Sequence, residues 1–155
     1  TLCPTELGIP NRRRRFYLVA SRGTLRPWPT PHGPARPLAG FLDAHPDPVL
    51  AVPAASTDRY AAAIDVVDPG DPAACSSCFT AAYGRSYVRS GSYLVTPTGL
   101  RRFAPREILR LLGFPDSFRV PDHVPVAQAW RHVGNSLSVV AVRHVLAAIP
   151  GLADA

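Results

Sequence analysis

Gly8-Ile9-Pro10-Asn11-Arg12-Arg13-Arg14-Arg15-Phe16-Tyr17-Leu18-Val19-Ala20 is the stretch on which the fold turns. Four arginines run into an aromatic and β-branched segment that Ser21-Arg22-Gly23 closes, which predicts a short buried strand with the arginines at its entry. Side chains alternate along a strand, so Arg13 and Arg15 share one face and Arg12 and Arg14 the other.

The chain has 155 residues, the size of one ordinary domain, which typically buries ~70% of its unfolded surface. Methionine is absent and the first residue is Thr1, so a fragment or processed piece is expected. Every basic residue is arginine, and the net charge is +6. Guanidinium groups grip phosphate in bidentate fashion, so this balance favours a polyanionic partner. No apolar run approaches the ~20 residues of a membrane span, and no signal-peptide core is visible, so no membrane partner is expected and the location is intracellular, cytoplasmic or nuclear. Cys3, Cys75 and Cys78 are too few for a disulfide framework. Cys75-Ser-Ser-Cys78 has the spacing of half a zinc site, but no second pair accompanies it, so no metal is expected.

Outward from the arginine block, residues 22–57 carry eight prolines between Pro27 and Pro53. That is too many missing donors for a central strand or a long helix, leaving a linker or insertion with one helical turn at Leu38 to Leu42. Asp58 to Val67 fits either a helix or a strand, closed by the turn Asp68-Pro-Gly-Asp-Pro72. Cys78 to Val95 reads as short strands and loops. Pro105, Glu107, Gly113 and Pro115 punctuate a helix over 105–112 with Ile108, Leu109, Leu111 and Leu112 as its apolar residues. A last helix runs from about Ser138 to Ala148, with Gly134-Asn135-Ser136 as its approach.

Three blocks in this order, Gly8 to Arg15, Ala104-Pro-Arg-Glu107 with Leu112-Gly-Phe-Pro115, and Gly134-Asn-Ser136, resemble the closing third of a cytosine-C5 methyltransferase. Cys78-Phe-Thr80 with Tyr83-Gly84 resembles the Dnmt2 branch of that family, whose substrate is tRNA. The resemblance implies an α/β fold: the C-terminal part of a Rossmann-like, S-adenosylmethionine-dependent enzyme with a small target-recognition subdomain. It divides the chain into a late catalytic-domain strand (1–21), the proline-rich insertion (22–57), the recognition subdomain (58–100) and closing helices that pack back on the catalytic domain (101–155).

The same resemblance implies roles. Asn11, Arg13 and Arg15 match the family's Gln-x-Arg-x-Arg, which makes Arg13 and Arg15 the catalytic pair lining the pocket of a flipped cytosine, with Arg15 the donor to the base's O2. Gly134, Asn135 and Ser136 are expected to contact S-adenosylmethionine. Arg12, Arg14, Cys78, Thr80, Tyr83, Arg85 and Arg89 are expected to face nucleic acid; tyrosines among arginines suit stacking of unpaired bases and phosphate contact. Ala104 stands where the family has a capping Thr, a change worth about 1 kcal/mol at that helix start.

No Pro-Cys pair, the family's nucleophile, occurs in these 155 residues, nor a Gly-rich loop after a strand. The expectation is therefore part of an S-adenosylmethionine-dependent tRNA (cytosine-5) methyltransferase, inactive alone, whose catalytic part is N-terminal or on another subunit. The rivals are a fragment of a DNA (cytosine-5) methyltransferase acting on duplex DNA, and a non-catalytic nucleic-acid-binding module.

Overall fold

The computed structural model describes residues 1–152. Helix α1 spans Ala54–Tyr60, strands β1, β2 and β3 span Asp65–Val67, Ser92–Thr96 and Gly99–Arg102, and helices α2, α3 and α4 span Pro105–Leu111, Val126–Asn135 and Val139–Leu146. The sheet order is β1-β2-β3: β1 runs parallel to β2, and β2 is antiparallel to β3 with Tyr93 opposite Arg102. A further segment extends the sheet beyond β3, where Ala51 bridges Arg101 and the Val52 N–H donates to the Leu100 carbonyl at 2.8 Å.

One buried cluster gathers side chains from Ile9 to Val133. At its centre Tyr83 is 0% exposed and meets Phe79 and Trp130 edge to face, with ring centroids 5.0 and 5.8 Å apart. Its hydroxyl donates to the Ser92 carbonyl at 2.7 Å and accepts from the Phe103 N–H at 2.9 Å, which satisfies a buried polar group. Burial pushes its pKa well above the ordinary phenol value, so the ring stays neutral.

Helix α2 forms as its punctuation dictates. Pro105 occupies the first turn, and Gly113, at φ 82°, ends the helix with its N–H on the Arg110 carbonyl and the Phe114 N–H on the Leu109 carbonyl. This is a Schellman closure, and a residue with a Cβ resists that left-handed conformation. Glu107 is fully buried and pairs in bidentate fashion with Arg101 at 2.8 and 2.9 Å. It also accepts from the Ala104 N–H at 2.7 Å and from the Asp43 N–H at 2.8 Å. Half of the capping box thus persists at Ala104, although the side-chain acceptor is gone.

Elsewhere the chain departs from expectation. Phe16 to Ala20 forms no regular element and is not a buried strand: Phe16 and Leu18 are 74% and 83% exposed. Only the bridge Leu2 to Arg15 pairs its entry, and among the described residues no backbone hydrogen bond pairs 16–20. Tyr17 and Val19 pack on Leu2, Ala141 and Val145, so one face is covered and the other is bare. Asp58 to Val67 holds both alternatives, the end of α1 and then β1. The single turn expected at 38–42 is the 3-10 turn Leu38–Phe41, which buries both end residues.

Helix α3 went unread in the sequence, and it changes the place of Gly134-Asn-Ser136. Gly134 and Asn135 are the last residues of α3 rather than the approach to the final helix. The cap of α4 is Ser138, whose hydroxyl accepts from the Ala141 N–H at 3.3 Å.

Candidate functional site

The arginine block is positioned by its neighbour in space, residues 75–79. The Arg12 N–H donates to the Ser76 carbonyl at 2.8 Å and the Ser76 N–H to the Pro10 carbonyl at 3.0 Å. Asn11, 1% exposed, fastens the same pair of segments through its amide nitrogen to Ser76 Oγ at 3.0 Å and the Ser77 carbonyl at 2.9 Å. This register sets Arg13 and Arg15 against Cys78. Arg13 Nη1 lies 3.2 Å and Arg15 Nη2 3.3 Å from its sulfur.

The two arginines nevertheless have different employment. Arg13 is 4% exposed, and its guanidinium donates to the carbonyls of Phe79 at 2.9 Å, Gly134 at 3.2 Å and Ser136. It is a clamp that joins the arginine block, the Cys-Phe-Thr segment and the end of α3. Arg15 is exposed and, among the described residues, holds only the Arg14 carbonyl at 2.9 Å besides Cys78. Of the pair, Arg15 keeps a guanidinium able to meet a ligand. Arg12 and Arg14 are exposed.

Gly134 sits at the same junction for a steric reason. A Cβ there would fall on the Thr80 carbonyl and the Ala81 N, too close for any side chain. Together with the clamp, this makes 78–81 and 134–136 one packed unit. The Ser136 hydroxyl donates to the His132 carbonyl at 3.1 Å, while Asn135 is exposed and its amide takes no part in these bonds. Among the three residues expected at the cofactor, Asn135 is therefore the one with an uncommitted side chain. An exposed amide beside a rigid turn fits one polar contact to S-adenosylmethionine.

The remaining expected nucleic-acid residues divide by exposure. Tyr83 lies in the core, where no base can stack on it, so its placement at the interface is corrected: its hydroxyl and all its faces are used by the fold. Thr80 is half-buried and ties the 78–92 loop, its N–H donating to the Ser90 carbonyl at 2.9 Å. Arg85 and Arg89 are exposed, on either side of the half-buried Tyr87. Cys78 is half-buried and free, as is Cys75, whose thiol burial pushes up against the influence of Arg12.

Tyr60 and Arg102, which the sequence did not single out, complete this surface around Tyr87, one of the tyrosines read there for base stacking. Tyr60 stacks on Tyr87 with ring centroids 5.3 Å apart and planes inclined by 24°, and Arg102 lies over the Tyr87 ring at 4.8 Å. Helical or strand spacing does not link positions 60, 87 and 102, so no pattern along the chain announces them.

Comparison with known proteins places this geometry. Residues 55–151 match the family described as C-5 cytosine-specific DNA methylase. The tRNA (cytosine(38)-C(5))-methyltransferase of Rattus norvegicus is 34% identical over 135 residues, covering 70% of this chain and 34% of that protein. The type II methyltransferase M.NlaX of Neisseria lactamica is 31% identical over 155 residues, covering 90% of this chain and 48% of its own length. A solved structure of a Spodoptera frugiperda DNMT2 mutant superposes with a TM-score of 0.75 at 23% identity, over 93% of this chain and 54% of the other, which establishes the shared fold. The chain thus spans about a third to a half of the length of these relatives.

Proposed function

The chain belongs to the C-5 cytosine-specific methylase family, and from that premise we propose that it is part of an S-adenosylmethionine-dependent tRNA (cytosine-5) methyltransferase, supplying the target-base arginine and RNA recognition. The observation that carries this reading is the convergence of Arg13, Arg15 and Cys78 at the packed junction with Gly134 to Ser136. The tRNA methyltransferases among the relatives favour RNA as the substrate.

The roles follow from the exposure of each group. A target cytosine must leave its stack to be modified, and attack of a thiolate on C6 drives charge onto the ring. Arg15 presents an exposed guanidinium, held beside Cys78, that would donate to the base and stabilise this charge once the catalytic part closes the pocket around it. Arg13 holds the pocket wall without touching the base. Asn135 contributes one amide contact to the cofactor, and S-adenosylmethionine supplies the methyl group. Residues 58–100 act as the recognition subdomain, and 101–155, of which 153–155 lie outside the described residues, belong to the part that closes against the catalytic domain.

The nucleophile would come from outside these 155 residues, which contain no Pro-Cys pair. The chain alone then transfers no methyl group. The bare side of Phe16 to Ala20, alternating in burial and without a backbone pairing among the described residues, is suited to receive strands of the catalytic part. Among the described residues no helix is long and apolar enough to cross a membrane.

A second reading, a DNA cytosine methyltransferase, is favoured by the family description matched over residues 55–151, which names a DNA methylase. The test is methyl transfer from labelled S-adenosylmethionine to tRNA and to duplex DNA, by the chain alone and joined to the coding sequence upstream of it. Label in tRNA from the joined form alone supports the proposal. Label in duplex DNA supports the second reading, and tight tRNA binding without label from either form leaves a binding module.

A further inference from the structure

Cations and rings stack in series from α1 towards the core. The Arg59 guanidinium lies 5.3 Å from the centroid of Tyr60, Tyr60 stacks on Tyr87, and Arg102 lies between Tyr87 and the buried Trp130, 4.8 and 5.4 Å from their centroids. The series runs from an exposed end at Arg59 to the core at Trp130. Each guanidinium is planar and weakly hydrated, which suits it to lie on an aromatic face.

Helix α1 carries the outer half of this ladder and buries none of its seven residues. It also lacks a side-chain cap at its start. So short a helix is not stable by its own propensity, and Tyr60 is its aromatic anchor. Folding gains little core from α1, so the position of Arg59 and Tyr60 calls for another use.

The turn beside it is equally committed to display. Arg85 and Arg89 are exposed, two residues either side of Tyr87, and Arg89 holds φ at 49°, a left-handed conformation unusual for a bulky side chain. A hydrogen bond from Ser90 Oγ to the Ser86 carbonyl at 2.5 Å fixes this turn. Of the carboxylates between 58 and 100, Asp65 is engaged by the Ser92 hydroxyl, Asp68 and Asp71 accept from the Gly70 and Ala73 N–H groups of their own turn, and Asp58 stands exposed on α1. The positive groups therefore outnumber the free negative one.

We propose that the outer end of this ladder is a stacking platform for an unpaired base of RNA: the base continues the series on the Arg59 guanidinium, and Arg85 and Arg89 meet the flanking phosphates. The choice of RNA rests on the tRNA reading above. An unpaired base offers a bare face and a duplex hides it, so stacking separates loop from helix, whereas phosphate contacts serve both. The inner rungs, Tyr87, Arg102 and Trp130, hold the outer ones in place.

The experiment uses the whole chain with two RNAs: a hairpin carrying 2-aminopurine in a seven-base loop, and a blunt duplex of similar length. Binding to the hairpin quenches the fluorophore, and Arg59→Ala weakens hairpin affinity about tenfold while duplex affinity stays within about twofold. Tyr60→Phe keeps the quenching and Tyr60→Leu loses it. The pair Arg85→Ala and Arg89→Ala weakens both RNAs and flattens the salt dependence. Equal loss on hairpin and duplex with Arg59→Ala, or no loss, overturns the platform; the side chain is exposed, so misfolding does not blur that result. A joined enzyme that methylates only DNA, from a chain whose Arg59-dependent quenching persists, overturns the tRNA reading and keeps the platform. Unaltered hairpin binding by Arg59→Ala alongside tRNA methylation does the reverse.

Discussion

Residues 8–20 and 101–115 are both arginine-rich segments leading into apolar runs, and they end in opposite situations. In the second, Arg101 meets Glu107 six residues away, and Ile108, Leu109, Leu111 and Leu112 are all buried. In the first, Arg13 finds its acceptors 66 to 123 residues away, and the run behind it leaves Phe16 and Leu18 in solvent. The difference teaches that a segment completed by its own neighbours is a scaffold, while one completed from a distance, with a face left over, is where the chain meets other things.

The comparison breaks most visibly at Glu107. Glu107→Gln leaves the buried Arg101 without its counter-charge and is expected to lower stability by about 3–5 kcal/mol in denaturant unfolding. A loss under about 1 kcal/mol would mean that water reaches the pair. Next is Arg13→Ala, which strands the carbonyls of Phe79, Gly134 and Ser136 and should remove about 3 kcal/mol. Gly134→Ala drives a Cβ onto the Thr80 and Ala81 backbone and should lower stability by about 1–3 kcal/mol, read as a lower unfolding midpoint.

Smaller effects sharpen the contrast. Ala104→Thr restores the missing side-chain acceptor at the start of α2 and should add about 1 kcal/mol. Phe16→Ser with Leu18→Ser is expected to change the unfolding midpoint of the chain little, because both side chains already stand in water. The same double change should abolish association with a catalytic part in sedimentation, if that face is the seam.

What was legible in the sequence followed the reach of its signals. Helix α2 was legible because Pro105, Glu107, Gly113 and Pro115 act within a few residues of one another. The strand at 16–20 was misread because a continuous aromatic and β-branched run reports only a preference for a buried strand; whether a neighbouring strand covers it is not written in those letters. Helix α3 was missed because Val126 to Asn135 opens without a side-chain cap, after Pro121 and Pro125. At the site, the contact of Arg13 and Arg15 with Cys78 agrees with the alternation of side chains, but their unequal burial does not follow from it. The ladder from Arg59 to Trp130 joins four distant segments through ring faces, so no spacing rule reaches it.

The most direct measurement compares Arg15→Ala with Arg13→Ala in the joined enzyme, reading thermal unfolding and labelled methyl in tRNA side by side. The account predicts that Arg15→Ala unfolds at the parent temperature while methyl transfer falls by at least about a hundredfold, as for loss of one preorganised charge-stabilising donor, and that Arg13→Ala lowers the unfolding temperature. Methyl transfer at the parent rate from Arg15→Ala would contradict it.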